Sequence, residues 1–146
     1  MKTLTLPARM DALEAFLGFV LTRAAQAGAS EELLADVRLG VEEILSNIFF
    51  YAYPHAEGHV EVGFSERTDG SFSIRVTDWG IPFDPMTYDA PDLEREFSAR
   101  EMGGMGIYLA RKIAHQMVYE RFGDANQLTV SFHLQPSSYG KEKTCP

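Results

Sequence analysis

The chain has a single cysteine, Cys145, so it can form no internal disulfide and offers no cysteine cluster for zinc or an iron–sulfur centre. It also lacks long apolar runs: none approaches the ~20 residues that cross a bilayer. The opening Met1-Lys2-Thr3-Leu4-Thr5-Leu6-Pro7 is too short and too polar for a signal peptide. These absences lead us to expect a cytoplasmic protein with no membrane partner. Basic residues are scarce as well, with 13 Lys and Arg against 21 Asp and Glu and a formal net charge of -8. That balance argues against nucleic acid as a main partner, because binding a phosphate backbone needs a basic surface. It leaves nucleotides open, since one phosphate group can be held by local backbone N–H groups and a metal ion. No internal repeat or low-complexity segment interrupts the chain.

What is present is ordinary for a globule: 45% hydrophobic and 23% charged residues over a length of 146. A chain this long buries roughly 68–70% of its unfolded surface, enough for a core of its own. One domain is expected over residues 1–135, followed by a short C-terminal tail, 136–146.

Leu4 and Leu6 alternate with threonines before Pro7, which reads as a short first strand. Asp11 and Glu14 resemble a capping box, ahead of Leu13, Phe16, Leu17, Val20 and Leu21 at helical spacing. Gly28 ends that helix. Ser30 is a good N-cap for a second one, with Glu31 and Glu32 near its positive end, running to about Tyr51 before Pro54. Val60, Val62 and Phe64 alternate, Asp69-Gly70 makes a turn, and Phe72, Ile74 and Val76 alternate again, predicting a hairpin. Residues 80–106 read as a long loop or lid with one helical turn around Asp92–Phe97, and loops of this length are usually functional. A third helix is expected from Ile107 to about Met117, then strands over Val118–Phe122 and Leu128–Leu134. The fold class is therefore α+β: a two-layer α/β sandwich, a mixed sheet covered on one face by three helices.

Three segments carry chemistry. On the second helix, Glu43 and Asn47 stand at i and i+4, about 40° apart at the edge of an apolar arc. Facing a cleft, such a pair can supply a general base and an oxygen ligand for Mg²⁺, which keeps several waters and takes its other ligands from substrate phosphates. Most Glu-x-x-x-Asn pairs are simply solvated, and that alternative stands at this point. In Phe72-Ser73-Ile74-Arg75-Val76-Thr77-Asp78 the last residue continues the apolar parity, so a carboxylate points where a core side chain is expected. A buried carboxylate needs donors or a shifted pKa. The exocyclic amino group of adenine is one such donor, and turn N–H groups after the strand are another. Gly80 and Pro82 then turn the backbone sharply, so that a flat group can approach closely. Finally, Gly103-Gly104-Met105-Gly106 runs straight into Ile107 and the third helix. Glycines here let backbone N–H groups approach phosphate oxygens, although a flexible hinge has the same composition. The spacing fits neither the dinucleotide fingerprint nor a Walker A loop.

Taken together and in this order, the segments resemble the Bergerat-fold (GHKL) ATPases, which include topoisomerase ATPase subunits, heat-shock chaperones, histidine kinases and anti-sigma-factor kinases. Glu43-Ile44-Leu45-Ser46-Asn47 is similar to the family's N box, Asp78-Trp79-Gly80-Ile81-Pro82-Phe83-Asp84 to its first glycine box, and Gly104-Met105-Gly106-Ile107 to its second. Val41-Glu42-Glu43, the Pro-Phe-Asp after Asp78-x-Gly, and Val118-Tyr119-Glu120-Arg121 resemble the anti-sigma-factor serine/threonine kinase branch most, and the likeness spans about residues 4–134. The resemblance implies ATP and Mg²⁺ as cofactors. Glu43 would be the catalytic base, Asn47 the Mg²⁺ ligand and Asp78 the acceptor of the adenine amino group. Gly80 would open the pocket, and Gly104, Met105, Gly106 and Ile107 would close on the phosphates.

The resemblance also implies a STAS-domain anti-anti-sigma protein as substrate and a sigma factor as a further partner. Related kinases dimerise, and the apolar first helix permits a homodimer, although a buried core face explains that helix equally well. Two other readings share the ATP site: a nucleotide-gated binding module that phosphorylates nothing, and the stand-alone catalytic domain of a histidine-kinase system. The last expects a phosphoacceptor histidine ahead of the ATP domain, whereas His55, His59, His115 and His133 read as surface or packing residues. The family pattern is broken at two places. Ile48 and Tyr51 stand where the anti-sigma branch has a small residue and a His. Leu128 stands where the topoisomerase branch has an adenine-binding Thr, and Thr129 has the opposite parity.

Overall fold

A computed structural model of the chain describes residues 1–85 and 104–134. The lid charges Asp89, Asp92, Glu94, Arg95, Glu96, Arg100 and Glu101, the turn expected at Asp92–Phe97, Gly103 and the tail all lie outside the described residues. The elements follow the expected order: β1 (Lys2–Pro7), α1 (Leu13–Gln26), α2 (Glu31–Tyr51), β2 (His59–Glu66), β3 (Ser71–Asp78), α3 (Gly104–Ile113), β4 (Gln116–Phe122) and β5 (Ala125–His133).

Local chemistry sets most boundaries. The Ser30 hydroxyl accepts from the Leu33 N–H at 3.1 Å and starts α2. The hairpin turn closes with Gly70 at φ 82°, a conformation glycine adopts without strain. There the Asp69 carboxylate accepts from the Ser71 N–H at 3.1 Å. The start of α1 departs from the capping-box reading. A 3-10 turn, Met10–Ala12, precedes the helix, and Ala12 at the N-cap has no side chain able to cap. Asp11 pairs instead with Arg9 at 3.4 Å, and Glu14 reaches Arg38 on α2 at 3.1 Å. α3 begins at Gly104 and ends at Ile113, earlier at both ends than expected. Its last turns give way to β4 because the His115 N–H bonds the Ser131 carbonyl at 2.9 Å.

The five strands lie in the order β1-β2-β3-β5-β4. Every described pairing is antiparallel, which corrects the expectation of a mixed sheet. The reason is topological. β3 and β4 run in the same direction, but the crossover through α3 sets β4 one place beyond, and β5 returns between them. Two parallel strands are thus separated by an antiparallel one.

The helices cover one face. Phe16, Leu17 and Val20 from α1, Val37, Val41, Ile44 and Leu45 from α2, and Ile107 and Ala110 from α3 are all buried against it. They meet Val60, Val62, Ile74, Val76 and Val130, and a stack in which the Phe72 ring lies 5.2 Å from Phe64 and 5.6 Å from Phe132. Each large apolar side chain buried this way contributes about 1.5–3 kcal/mol. The opposite face is polar, with Ser73 and Ser131 hydroxyls 2.9 Å apart across β3 and β5. α2 lies between α1 and α3, where Gly40 admits the Ile113 side chain closely. This central helix and β3 hold the functional residues between them.

Candidate functional site

Asp78 ends β3 on the helix-covered face, only 5% exposed, as its parity predicts. Its strand neighbours in register are Val60 and Asn126. The carboxylate oxygen Oδ1 accepts from the Gly80 N–H at 2.9 Å and from Asn126 Nδ2 at 3.0 Å. Burial pushes the Asp78 pKa upward, while Asn126, the Gly80 N–H and the Arg121 charge pull it back.

The turn after Asp78 is fastened from several sides. A Cβ on Gly80 would stand 2.2 Å from the Ala52 carbonyl oxygen, so only glycine lets the strand end lie against the end of α2. There the Ile81 N–H bonds the same carbonyl at 3.0 Å. Tyr53 spans the other side, its hydroxyl accepting from the Trp79 N–H at 2.7 Å and donating to the His59 carbonyl at 2.6 Å. Arg121 on β4 donates to the Gly80 carbonyl at 3.0 Å.

Asn47 comes to the same place from α2. It is 7% exposed, and its Oδ1 is buried without a hydrogen-bond partner among the described residues. Leaving such an oxygen unpaired costs about 1–3 kcal/mol, so it marks a position where an electropositive group is expected. Asn47, Asp78, Ile107, Tyr119, Asn126 and Leu128 line one narrow cavity of about 30 Å³, with Phe83 and Pro85 on its wall. An adjoining hollow is lined by Tyr51, Ile81 and Phe83.

Glu43 sits one turn before Asn47, half-buried. A Cβ on Gly106 would stand 2.1 Å from Glu43 Oε2, so the first turn of α3 rests directly on this carboxylate. Burial raises the Glu43 pKa, and the neighbouring Glu42 charge raises it further. A carboxyl held high in this way is better able to take up a proton near neutral pH.

Among the expected site residues, Asn47, Asp78 and Ile107 therefore share a cavity, Glu43 and Gly106 touch each other, and Gly80 fixes the turn beside them. Gly104 opens α3 with Met105 next to it in the first turn. Leu128 lies on the cavity wall opposite Val76, and Thr129 pairs with Arg75 on the other face, as their parity predicts.

Sequence reasoning missed Asn126, Tyr119, Tyr53 and Arg121. Asn126 had a signal of the kind that exposed Asp78: it shares parity with Leu128, Val130 and Phe132. Starting the last strand at Leu128 hid it, because β5 begins at Ala125.

The cavity tests whether a nucleotide and a cation fit this chain. A buried amide oxygen with no partner among the described residues, a carboxylate with only one oxygen engaged among them, and glycine backbone at both margins suit the amino edge of a base and a phosphate-bound cation. Residues 6–132 match the sequence family described as histidine kinase-like ATPase domain. A comparison with curated protein sequences returns no match. Among solved structures, the chain is similar to the RsbU and RsbW domains of Rv1364c from Mycobacterium tuberculosis, with a TM-score of 0.58 and 14% identity. That alignment covers 92% of this chain and 33% of the other. The chain is also similar to the histidine kinase domain of the blue-light activated histidine kinase EL346 from Erythrobacter litoralis, with a TM-score of 0.57 and 18% identity. There the alignment covers 87% of this chain and 63% of the other, so the chain spans less than two thirds of either neighbour. At these identities the likeness is one of fold. The family match covers most of the sequence and carries nucleotide binding with it: the chain belongs to the histidine kinase-like ATPase domain family.

Proposed function

We propose that the chain is an ATP- and Mg²⁺-dependent protein serine/threonine kinase of the anti-sigma-factor type. Its protein substrate is a STAS-domain anti-sigma antagonist, and a sigma factor is a second partner. Such a protein works in the cytoplasm. The observation that carries the nucleotide part is the Asn47 oxygen, unpaired among the described residues, on the cavity that Asp78 also lines. The choice of branch rests on the N-box and glycine-box residues and on the fold shared with a structure that includes an RsbW domain.

Asp78 accepts a hydrogen bond from the adenine amino group, and Gly80 keeps the turn beside it open. Asn47 holds the cation through Oδ1. When bound, Mg²⁺ neutralises phosphate charge and orients the γ-phosphoryl group. The N–H groups of the first turn of α3, Gly104 to Ile107, face the phosphates, where the positive end of the helix favours them. Glu43 takes the proton of the attacking serine or threonine hydroxyl as its oxygen bonds to phosphorus and ADP leaves.

The test is transfer from labelled ATP to STAS proteins of the same organism, with wild type and Glu43→Ala side by side. Label on a Ser or Thr that disappears in the variant supports the kinase and the base. Tyr51, 37% exposed at the pocket margin where the kinase branch has a His, favours one rival, a nucleotide-gated binding module. ATP binding with no transfer to any STAS protein decides for that rival.

A further inference from the structure

Asn126 is the most fully engaged polar side chain described near the cavity, and nothing in the proposed reaction uses it. It is 5% exposed. Its Nδ2 donates to Asp78 Oδ1 at 3.0 Å and to the Ile81 carbonyl at 2.8 Å. Its Oδ1 accepts from the Tyr119 hydroxyl at 2.5 Å and from the Phe83 N–H at 3.4 Å. Both amide hydrogens and both carbonyl lone pairs are therefore occupied. A carboxylate and a carbonyl lie on one side of the amide and a backbone N–H on the other, so rotation by 180° loses the bonds to Asp78, Ile81 and Phe83, and only the Tyr119 hydroxyl can adapt.

This fixed orientation has a consequence for Asp78. Asn126 and the Gly80 N–H both address Oδ1, which leaves Oδ2 to act as an acceptor toward a ligand in the cavity. We infer that Asn126 is a specificity-determining positioning residue: it keeps Asp78 an acceptor, so that the pocket takes a base bearing an amino group and rejects one bearing a keto oxygen. The inference rests on the nucleotide reading of the cavity and adds the residue that enforces the choice of base. A keto oxygen placed opposite a carboxylate oxygen leaves two acceptors facing each other, and sites built around one hydrogen bond discriminate strongly against such a ligand.

Other groups near Asp78 do not substitute for the amide. Arg121 lends its charge but donates to the Gly80 carbonyl, and the Tyr53 hydroxyl is engaged with Trp79 and His59. Among the described residues, Tyr119 is linked to Asp78 through Asn126.

The experiment measures binding of ATP and of inosine triphosphate, which carries a keto group at the same position, to wild type, Asn126→Leu and Tyr119→Phe. Wild type should prefer ATP by roughly tenfold or more. Asn126→Leu should weaken ATP at least several-fold while leaving inosine triphosphate unchanged or tighter, so that the ratio narrows. Tyr119→Phe, which frees the amide without removing it, should narrow the ratio less and decides the matter if Asn126→Leu does not fold. A ratio equal to wild type in the folded variants overturns the inference, because a merely structural amide would weaken both nucleotides alike. If wild type binds neither nucleotide, the nucleotide reading fails and the inference falls with it. ATP binding without base preference in wild type overturns the inference alone.

Discussion

The two ends of the cavity are built on opposite plans. At the Asp78 end most of the described polar groups are tied to one another: one carboxylate oxygen has Gly80 and Asn126, the turn has Tyr53, Ala52 and Arg121, and Asn126 makes four bonds. At the Glu43 end, Asn47 Oδ1 has no partner among the described residues, and Glu43 is pressed against the Gly106 backbone with Glu42 beside it. The first end is braced by folding, with only the second Asp78 oxygen left over, whereas the second end is left for a ligand to finish. Substitutions at the braced end should therefore disturb stability and binding together. At the unfinished end, function should separate from stability.

The largest separation should come from Glu43→Gln. If Glu43 is the proposed base, its loss should lower phosphoryl transfer by roughly 10²–10⁴-fold. The neutral amide keeps the shape that Gly106 packs on, so ATP affinity should change little. Equal losses in transfer rate and in ATP affinity would place Glu43 in binding rather than proton removal.

Next in size is Gly80→Ala, at the braced end. The new methyl meets a backbone carbonyl, not the tip of a flexible side chain, at 2.2 Å. Overpacking of this kind costs about 1–3 kcal/mol, and the shift carries Asp78 with it. Urea midpoint and ATP affinity should fall together. A variant with wild-type stability and lost binding would break the comparison.

Asn47→Leu reverses the pattern. Removing a buried oxygen that has no partner should leave the folded state equally stable or more stable, by about 1 kcal/mol. Mg²⁺-dependent ATP binding should nevertheless disappear. Destabilisation by several kcal/mol would mean that Asn47 belongs to the structural brace instead.

The contrast also explains what could be read from the sequence. Parity alone put Asp78 on the covered face, and i to i+4 spacing put Glu43 and Asn47 on one side of α2, because those facts depend on one element each. The partners of Asp78 and of the turn after it come from elsewhere: Asn126 from β5 bonds the carboxylate, while Tyr53 from the segment after α2 and Arg121 from β4 bond Trp79 and Gly80. Which strand lies beside β3 is decided by the crossover, and periodicity within a strand carries no information about its neighbour. The same blindness produced the mixed sheet, since the direction of each strand was legible but the place of β5 between β3 and β4 was not. The capping box failed for a local reason. The chain reaches α1 through a 3-10 turn, which takes Asp11 out of the N-cap position.

The smallest effect concerns pH, and it sharpens the comparison most. Burial raises both carboxyls above their ordinary values, 3.8 for Asp78 and 4.5 for Glu43. A raised folded-state pKa means that the folded protein keeps its proton while the unfolded chain loses it. Stability should therefore fall as pH rises from the unfolded value through the folded one, and level off above. The two sites differ in what opposes burial. Asp78 has Asn126, the Gly80 N–H and Arg121 favouring its charged form, whereas at Glu43 the neighbouring Glu42 adds to burial. Urea midpoints measured across the acid range should decline with pH in wild type, less so in Glu43→Gln, and still less when Asp78→Asn is added. Asn126→Leu should steepen the decline, because it removes the donor that most favours the Asp78 carboxylate. If the slope in Asn126→Leu equals that in wild type, the Asp78 end is not held ionised by its brace, and the distinction between the two ends rests on geometry alone.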